Sequence, residues 1–240
     1  MLDTKGKFIV FEGLDGCGST TQADLLKRWF EEKEQPVYYT KEPTEGPIGF
    51  VIRLFLSKRI GSARKNEIFE ALDETTLALA FAADRADHLH NEIIPKLEAG
   101  IIVVADRYYL SSLAYQSLSA DYDWVKMINS KCLRPDLTLF LDVPPVVCKK
   151  RMERQRWHVE LYEEVNKLEK VRASYLMAIK DLIQQHETIE IIDGNRPVQE
   201  VHRDVIHKVK ALLKGTLVSE KQLKMDDVLK IDEKSVTLQG

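Results

Sequence analysis

The sequence predicts a three-layer α/β fold, in which helices flank a central parallel sheet of five strands. Short apolar runs alternate along the chain with longer segments whose apolar residues recur at helical spacing. Two of these runs, 101–105 and 137–141, are almost entirely apolar, which is typical of strands covered on both faces. Such alternation builds βαβ units, in which the strands are parallel and the helices cover the sheet.

Each predicted element has its own local signal. The predicted strands are 8–11, 36–40, 101–105, 137–141 and 189–192. The predicted helices are about 20–33, a short one around 52–55, about 70–97, 163–184 and 198–213. Leu25, Leu26 and Trp29 share one face of the first helix, and Gly100 follows the third helix as a glycine C-cap does. A loop rich in proline and glycine, 43–49, separates the second strand from the short helix.

Composition is that of an ordinary globular protein. The 240 residues suffice for one full core, with 44% hydrophobic and 30% charged residues in the usual balance. A net charge of −3 does not favour nucleic acid or membranes, so we expect neither as a partner. Cys17, Cys132 and Cys148 lack the spacing of a zinc site and indicate a reducing compartment. No secretory signal or bilayer-spanning apolar run is apparent, and we expect a cytoplasmic protein.

A glycine-rich turn between the first strand and the first helix carries the main chemical signal. Residues 13–20 have the G-x-x-x-x-G-x-[ST] skeleton of a phosphate-binding (Walker A) loop. Its glycines let backbone N–H groups curl around phosphates in front of a helix N-terminus, which favours anions. The predicted ATP-binding residues are Gly13, Leu14, Asp15, Gly16, Cys17, Gly18, Ser19, Thr20 and Thr21. Thr20 has the position of the Mg²⁺-contacting hydroxyl, and an ordinary tight turn is the alternative.

The loop departs from its motif at one position. Ser19 stands where the motif has lysine, and the next lysine along the chain is Lys27. Losing a charge that follows the transferring phosphoryl group costs on the order of 3–4 kcal/mol, by analogy with lost transition-state donors. Two hypotheses remain open: another cation substitutes for the lysine, or the protein binds nucleotide with weak or no turnover.

Four further blocks of sequence carry a family resemblance. They are Lys41-Glu42-Pro43 with Pro47-Ile48-Gly49 and Arg53, Phe81-Ala82-Ala83-Asp84-Arg85 with His88, Asp106-Arg107-Tyr108 with 111–116, and 134–139. The third block is the most specific, because S-S-L-A-Y-Q continues the D-R-Y tripeptide. On these blocks the chain resembles the thymidylate kinase family over about residues 7–213. The resemblance implies a P-loop kinase fold, transfer of the γ-phosphoryl group of ATP to dTMP with Mg²⁺, and a homodimer.

The resemblance also implies an acceptor pocket for the base and sugar. Phe81 is similar to the family's thymine-stacking phenylalanine, and Arg85 lies four residues later on the same helical face. Arg85 is implied to hydrogen-bond the base, and Tyr115 to crowd the 2′ position. The other implied substrate-binding residues are Asp15, at the 3′-hydroxyl, and Pro43, Arg53, Arg107, Ser111, Ser112 and Gln116. The alternatives are a core role for Phe81 and an ion pair of Arg85 on the Asp84 side of its helix.

Catalysis is implied to rest on charge. Arg107 follows the strand 101–105 and is implied to grip the acceptor monophosphate, with Asp15 nearby as a catalytic residue. Asp106 is implied to hold Mg²⁺ together with Thr20. A surface ion pair between Asp106 and Arg107 is the alternative. Arg151 and Arg154, in a basic run, are the candidates for replacing the missing lysine charge, although such a run is usually a solvated face.

The sequence predicts one kinase domain, 1–213, with a lid at about 149–162. A charged extension, 214–240, follows, in which 228–231 and 236–238 can pair as a small hairpin. Three other functions remain open from sequence. They are a kinase for another nucleotide or a deoxynucleoside, a catalytically weak nucleotide-binding relative, and a P-loop NTPase of a different type.

Overall fold

The computed structural model describes residues 6–57, 59–60, 62–64, 67–70, 73–153 and 163–215. In chain order the strands are β1 (Phe8–Gly13), β2 (Val37–Lys41), β3 (Ser62–Arg64), β4 (Glu67–Glu70), β5 (Ile102–Asp106), β6 (Leu137–Asp142) and β7 (Ile189–Asp193). The helices are α1 (Ser19–Glu31), α2 (Pro47–Leu56), α3 (Glu74–His88), α4 (Ile94–Glu98), α5 (Tyr109–Tyr115), α6 (Tyr122–Ile128), α7 (Pro145–Glu153), α8 (Glu163–Gln184) and α9 (Val198–Leu213). Residues 154–162 of the predicted lid and 216–240 of the predicted extension, with its hairpin, lie outside the described residues.

The main sheet has five parallel strands, as the sequence predicts, and the structure gives their order as β2-β5-β1-β6-β7. The central strand β1 pairs Phe8 with Val103 of β5 and Ile9 with Leu137 of β6. All six residues of β1 are buried, because both faces of the sheet are covered. The predicted strand positions are therefore confirmed to within two residues.

Helices cover the sheet in the predicted three-layer arrangement. α1 packs against β1, β2 and β5 and against α9, whose apolar face rests on β6 and β7. α5 packs against β1 and α8, and α8 also contacts α7. Among the described residues, no helix combines the length and the apolar character needed to cross a membrane.

The third predicted helix, at about 70–97, is corrected at its start and its middle. Residues 67–70 form β4, which pairs antiparallel with β3, and α3 begins only at Glu74. The Asp73 side chain accepts the Thr76 N–H at 3.0 Å and so caps the new start. A π-helical turn, Leu89–Ile93, separates α3 from α4, because Pro95 has no backbone N–H to continue the regular pattern.

The glycine-rich turn and the Asp106-Arg107-Tyr108 block lie side by side, at the carboxyl ends of β1 and β5. Phe11 pairs with Asp106, and the Arg107 N–H donates to the Phe11 carbonyl at 2.9 Å. β1 runs directly into the glycine-rich turn, and β5 runs directly into the Asp106-Arg107-Tyr108 block. In parallel sheets this edge is where ligands bind.

Candidate active site

The glycine-rich turn folds as a phosphate-binding loop. Gly16 and Gly18 have φ angles of 82° and 98°, which strongly favour glycine. A Cβ on Gly16 would lie 2.5 Å from the Cys148 carbonyl oxygen, so the turn also needs glycine for space. Burial raises the pKa of the Cys17 thiol to about 11, and this side chain packs beneath the loop as a neutral group.

The loop borders a cavity of about 440 Å³ at the N-terminus of α1. The cavity is lined by Leu14, Asp15, Gly16, Cys17, Gly18, Ser19, Thr20, Thr21, Gln22, Arg107, Leu141, Arg151, Gly194, Arg196, Val198 and Val201. It therefore contains eight of the nine predicted ATP-binding residues, Gly13 being the exception. Ser19 itself is 7% exposed and carries no charge into this space.

Two arginines of this cavity, Arg151 and Arg196, are held by contacts with other residues of the protein. Arg151 donates to the carbonyl oxygens of Cys17 and Gly194, both at 3.1 Å. Arg196 pairs with Asp204 and lies 3.4 Å from a carboxylate oxygen of Asp193. Arg154, the other candidate for the missing charge, lies outside the described residues. The replacement of the lysine by Arg151 or Arg154 stays a prediction.

Thr20 and Asp106, the two predicted magnesium ligands, contact each other directly. The Thr20 hydroxyl donates to one oxygen of Asp106. The other oxygen, Oδ1, is buried and has no hydrogen-bond partner among the residues that the structure describes. No group of three or more metal-ligating His, Cys, Asp or Glu side chains occurs in the described ranges. One carboxylate with a hydroxyl fits Mg²⁺, which keeps several waters and takes few protein ligands.

Arg107 projects from the end of β5 in a left-handed conformation, with φ of 73°. This conformation is uncommon for a residue with a side chain and recurs at functional sites. Its Nη2 donates to Asp15 Oδ1 at 2.7 Å, and its guanidinium lies 5.3 Å from the centre of the Tyr115 ring. The Tyr115 hydroxyl accepts the Asp15 N–H at 3.2 Å. The alternative ion pair with Asp106 is therefore wrong, because Asp15 is the partner of Arg107.

Two groups of the site were not predicted from the sequence. Glu12, at the end of β1, is fully buried and accepts hydrogen bonds from Ser111 and from the hydroxyl of Tyr175 on α8. Both of those hydroxyl oxygens accept from Arg107 Nη1, at 3.1 and 3.2 Å. Tyr175 looks from its spacing like a core residue, and only the charge of Glu12 within an apolar strand signals a special role.

Arg85 lies at the centre of a second buried polar cluster. It is 1% exposed and donates to Glu42 at 2.8 Å, to Ser112 at 3.0 Å and to the side-chain oxygen of Asn129. The alternative of an ion pair with Asp84 is wrong, because the Asp84 carboxylate accepts from Thr44 instead.

The remaining predicted acceptor residues lie around this cluster. Phe81 is partly buried on α3, four residues before Arg85, and Gln116 is buried just after α5. Arg53 donates to the carbonyl oxygens of Pro43 and Thr44, and so holds the loop before α2. The base-binding roles of these residues stay predictions.

A family model described as thymidylate kinase matches residues 11–205. The chain belongs to the thymidylate kinase family. Among its relatives, the "Probable thymidylate kinase" of Pyrococcus abyssi is 40% identical over 215 residues, covering 88% of this chain and 99% of that protein. The "Probable thymidylate kinase" of Thermococcus gammatolerans is 38% identical over 203 residues, covering 84% of this chain and 94% of that protein. That of Pyrobaculum aerophilum is 39% identical over 208 residues, covering 86% and 98% respectively.

Membership of the thymidylate kinase family confirms the predicted fold and the predicted resemblance. The match begins at Phe11 and therefore includes the whole phosphate loop, the Asp106-Arg107-Tyr108 block and the site around them. The structure brings Asp15, Arg107, Ser111 and Tyr115 together by direct contacts.

The pH dependence of stability is expected to report on Glu12. Burial raises the pKa of its carboxyl from 4.5 to about 7, against the opposing effects of the Ser111 hydrogen bond and the Arg107 charge. Between these values the folded protein keeps a proton that the unfolded chain releases, so stability present below pH 4.5 is lost as the pH rises to 7. This loss is expected to be about 3 kcal/mol.

Urea unfolding of the wild type and of Glu12→Gln across pH 4.5–7.5 measures this contribution. The free energy of unfolding of the wild type should fall relative to that of Glu12→Gln, which has no proton to lose. Parallel curves for the two proteins would show that Glu12 titrates at its ordinary pKa.

Proposed function

We propose that the protein transfers the γ-phosphoryl group of ATP to dTMP, giving dTDP and ADP. Membership of the thymidylate kinase family over residues 11–205 is the observation that carries this proposal. The geometry supports it, because Arg107 lines the same cavity as the phosphate loop. A cation and an anion-binding nest beside one another suit a reaction between two phosphates.

In this reaction the protein positions two nucleotides and stabilises the charge that develops between them. The N–H groups of the loop and the N-terminus of α1 hold the phosphates of ATP. Arg107 grips the monophosphate of dTMP with its planar fork of donors. Asp15 holds Arg107 and contacts the 3′-hydroxyl, while Tyr115 crowds the 2′ position against ribonucleotides.

Mg²⁺ accompanies the ATP in this proposal. Thr20 and Asp106 would hold it, since the two side chains are hydrogen-bonded and Asp106 Oδ1 has no partner in the described part of the chain. When bound, Mg²⁺ neutralises charge on the donor phosphates. The side chain of Asp106 keeps its place through the Thr20 hydroxyl, before any nucleotide arrives.

The base of the acceptor lies between α3 and α5 in this proposal. Phe81 stacks on the thymine ring, and the guanidinium of Arg85 donates to it, with Ser112 and Gln116 adding neutral contacts. Glu42 and Asn129 fix the Arg85 guanidinium in advance, which favours one pattern of acceptors on the base. Pro43, Arg53 and Ser111 complete the acceptor side.

The missing lysine charge favours a second candidate function. The loop and the helix N-terminus still bind ATP without it, but the transferring phosphoryl group loses its moving cation. A nucleotide-binding relative with weak or no turnover fits this single observation. In the kinase proposal, Arg151 or Arg154 of the lid supplies the charge instead, and lid closure excludes water from the reaction.

We also propose that the protein is a homodimer. Phe50, Val51 and Leu56 on α2 and Leu79 on α3 are exposed apolar residues on two helices that pack together. Exposed apolar surface of this kind is typical of an interface between subunits. Sedimentation of the full chain should give a mass of two chains, and a single-chain mass across the micromolar range would contradict it.

A coupled assay of ADP release tests the reaction. ADP should appear when ATP and dTMP are both present, and dCMP, dGMP and thymidine should be poor acceptors. Arg154→Ala or Arg151→Ala should lower kcat by about 100-fold if that residue supplies the missing charge. Lys150→Ala, in the same basic run, is the matched control.

The outcomes separate the candidate functions. A preference for dCMP or dGMP would overturn the thymine-binding assignment of Phe81 and Arg85. Calorimetric binding of ATP and dTMP without any dTDP after hours would favour the nucleotide-binding relative over the kinase.

A further inference from the structure

Glu12 is a fully buried carboxylate directly beside the phosphate loop. It is the fifth residue of β1, next to Gly13, and it is 0% exposed. Burying a carboxylate costs stability even when it is well hydrogen-bonded, so such a group is kept where an acceptor is needed. The proposed phosphoryl transfer gives Glu12 no role of its own.

One oxygen of Glu12 fixes the start of α5. Oε1 accepts the backbone N–H groups of Tyr108 at 2.9 Å and Ser111 at 3.1 Å. The N-cap residue of α5, Tyr108, makes no capping bond with its own side chain. Glu12, on β1, thus caps the N-terminus of α5 and holds the turn that contains Arg107.

The other oxygen sets the direction of two hydroxyl groups. Oε2 accepts from the Ser111 hydroxyl at 2.6 Å and from the Tyr175 hydroxyl at 3.1 Å. A hydroxyl has one hydrogen to donate and two lone pairs to accept with. When the Glu12 carboxyl is ionised, both hydrogens go to it, and the lone pairs of both hydroxyl oxygens are left to accept from Arg107 Nη1.

We propose that Glu12 is a positioning residue, which orients Arg107 toward the acceptor phosphate through the hydroxyls of Ser111 and Tyr175. The inference rests on the proposed function, in which Arg107 grips the monophosphate of dTMP. Asp15 holds Nη2 of the same guanidinium at 2.7 Å, so both terminal nitrogens have fixed partners. The fork of donors is thereby set before dTMP binds.

A glutamine cannot replace Glu12 in this arrangement. Its amide has one accepting oxygen, whereas Glu12 accepts from two backbone N–H groups on one side and from two hydroxyls on the other. If the amide nitrogen faces the hydroxyls, their hydrogens turn away and meet the N–H of Arg107. If the amide nitrogen faces the backbone of Tyr108 and Ser111 instead, its N–H groups point at their N–H groups, and no acceptor lies between them.

The test compares the affinities of dTMP and thymidine, which differ only in the phosphate. Calorimetry of the full chain above pH 7, where the Glu12 carboxyl is ionised, gives the dTMP-to-thymidine affinity ratio for each variant. Tyr175→Phe removes one of the two hydroxyls that accept from Arg107, and we expect the ratio to fall by about 10-fold. Glu12→Gln disturbs both hydroxyls, and we expect a fall of about 30-fold. Thymidine affinity should stay within about twofold in both variants, which a merely structural role does not predict.

Tyr109→Phe is the matched control. Tyr109 is a buried tyrosine of α5 whose hydroxyl also donates to a glutamate, Glu187, away from Arg107. Its removal should lower the melting temperature and leave the ratio unchanged. Should Glu12→Gln fail to fold, Tyr175→Phe decides the question, since its ring keeps its contacts with Phe140 and Tyr115.

Arg107→Ala distinguishes a failure of the proposed function from a failure of the positioning role of Glu12. If Arg107→Ala leaves the affinity ratio at its wild-type value, Arg107 does not bind the phosphate of dTMP. The proposed function then has no residue that binds this phosphate. If Arg107→Ala collapses the ratio while Tyr175→Phe and Glu12→Gln retain it, only the positioning role of Glu12 is overturned.

Discussion

Replacing Ser19 by lysine is expected to raise kcat for phosphoryl transfer by about 100-fold, the size of effect seen when one preorganised donor to a transition state is gained or lost. The loop already binds phosphates through its backbone, so the new charge adds to an intact nest. Ser19 lines the cavity in front of α1, and a long side chain at this position has room to enter it.

The expected gain depends on the arginines that already border this cavity. Arg151 is held by the carbonyl oxygens of Cys17 and Gly194, and Arg196 by Asp204. Both must exchange these partners before they can follow a moving phosphoryl group. A lysine at position 19 enters from the loop itself and is not held by the carbonyl oxygens or the carboxylate that hold these two arginines.

The control for this prediction is Ser19→Met, which adds length without charge. Steady-state kinetics of Ser19→Lys, Ser19→Met and the wild type, with ATP and dTMP saturating, give the comparison. A rise in Ser19→Lys alone assigns the gain to charge. An unchanged or lower kcat in Ser19→Lys would mean that an existing cation, Arg151 or Arg154, already acts there.

The sheet and the long helices were predictable because their signals are local and repeated. Strands buried on both faces are mostly apolar, and α8 and α9 show helical spacing over their whole length. The hairpin of β3 and β4 was not predictable, since its strands are three and four residues long. The π turn before α4 also escaped, because a helical pattern continues through it.

The candidate site was predictable only where motifs mark it. The phosphate loop and the Asp106-Arg107-Tyr108 block have recognisable spacing, whereas Glu12 and Tyr175 are brought to Arg107 by tertiary structure from β1 and α8. Likewise, the partner of Arg85 is Glu42, 43 residues away, and not the neighbouring Asp84. Pattern reasoning finds groups on one element, but ion pairs between elements depend on the packing of the whole fold.

Replacing Arg107 by alanine is expected to lower kcat/KM for dTMP by about 1,000-fold, because a bidentate grip on phosphate and its charge in the transition state are lost together. The KM for ATP should change by less than about threefold, since the loop backbone holds the donor. Arg107→Lys keeps the charge without the fork, and a loss of about 30-fold is expected for it.

The fold should survive this substitution, which makes the kinetic loss interpretable. Asp15, the ionic partner of Arg107, is 58% exposed at its side chain, so water replaces the lost partner at little cost. Ser111 and Tyr175 keep their hydrogen bonds to Glu12. Arg28→Ala, on the exposed face of α1 and paired with Asp24, is the control for loss of a surface arginine. Equal kinetics for Arg107→Ala and Arg28→Ala would show that Arg107 takes no part in the reaction. The proposal that ATP and dTMP bind next to each other at the end of β5 would then be wrong.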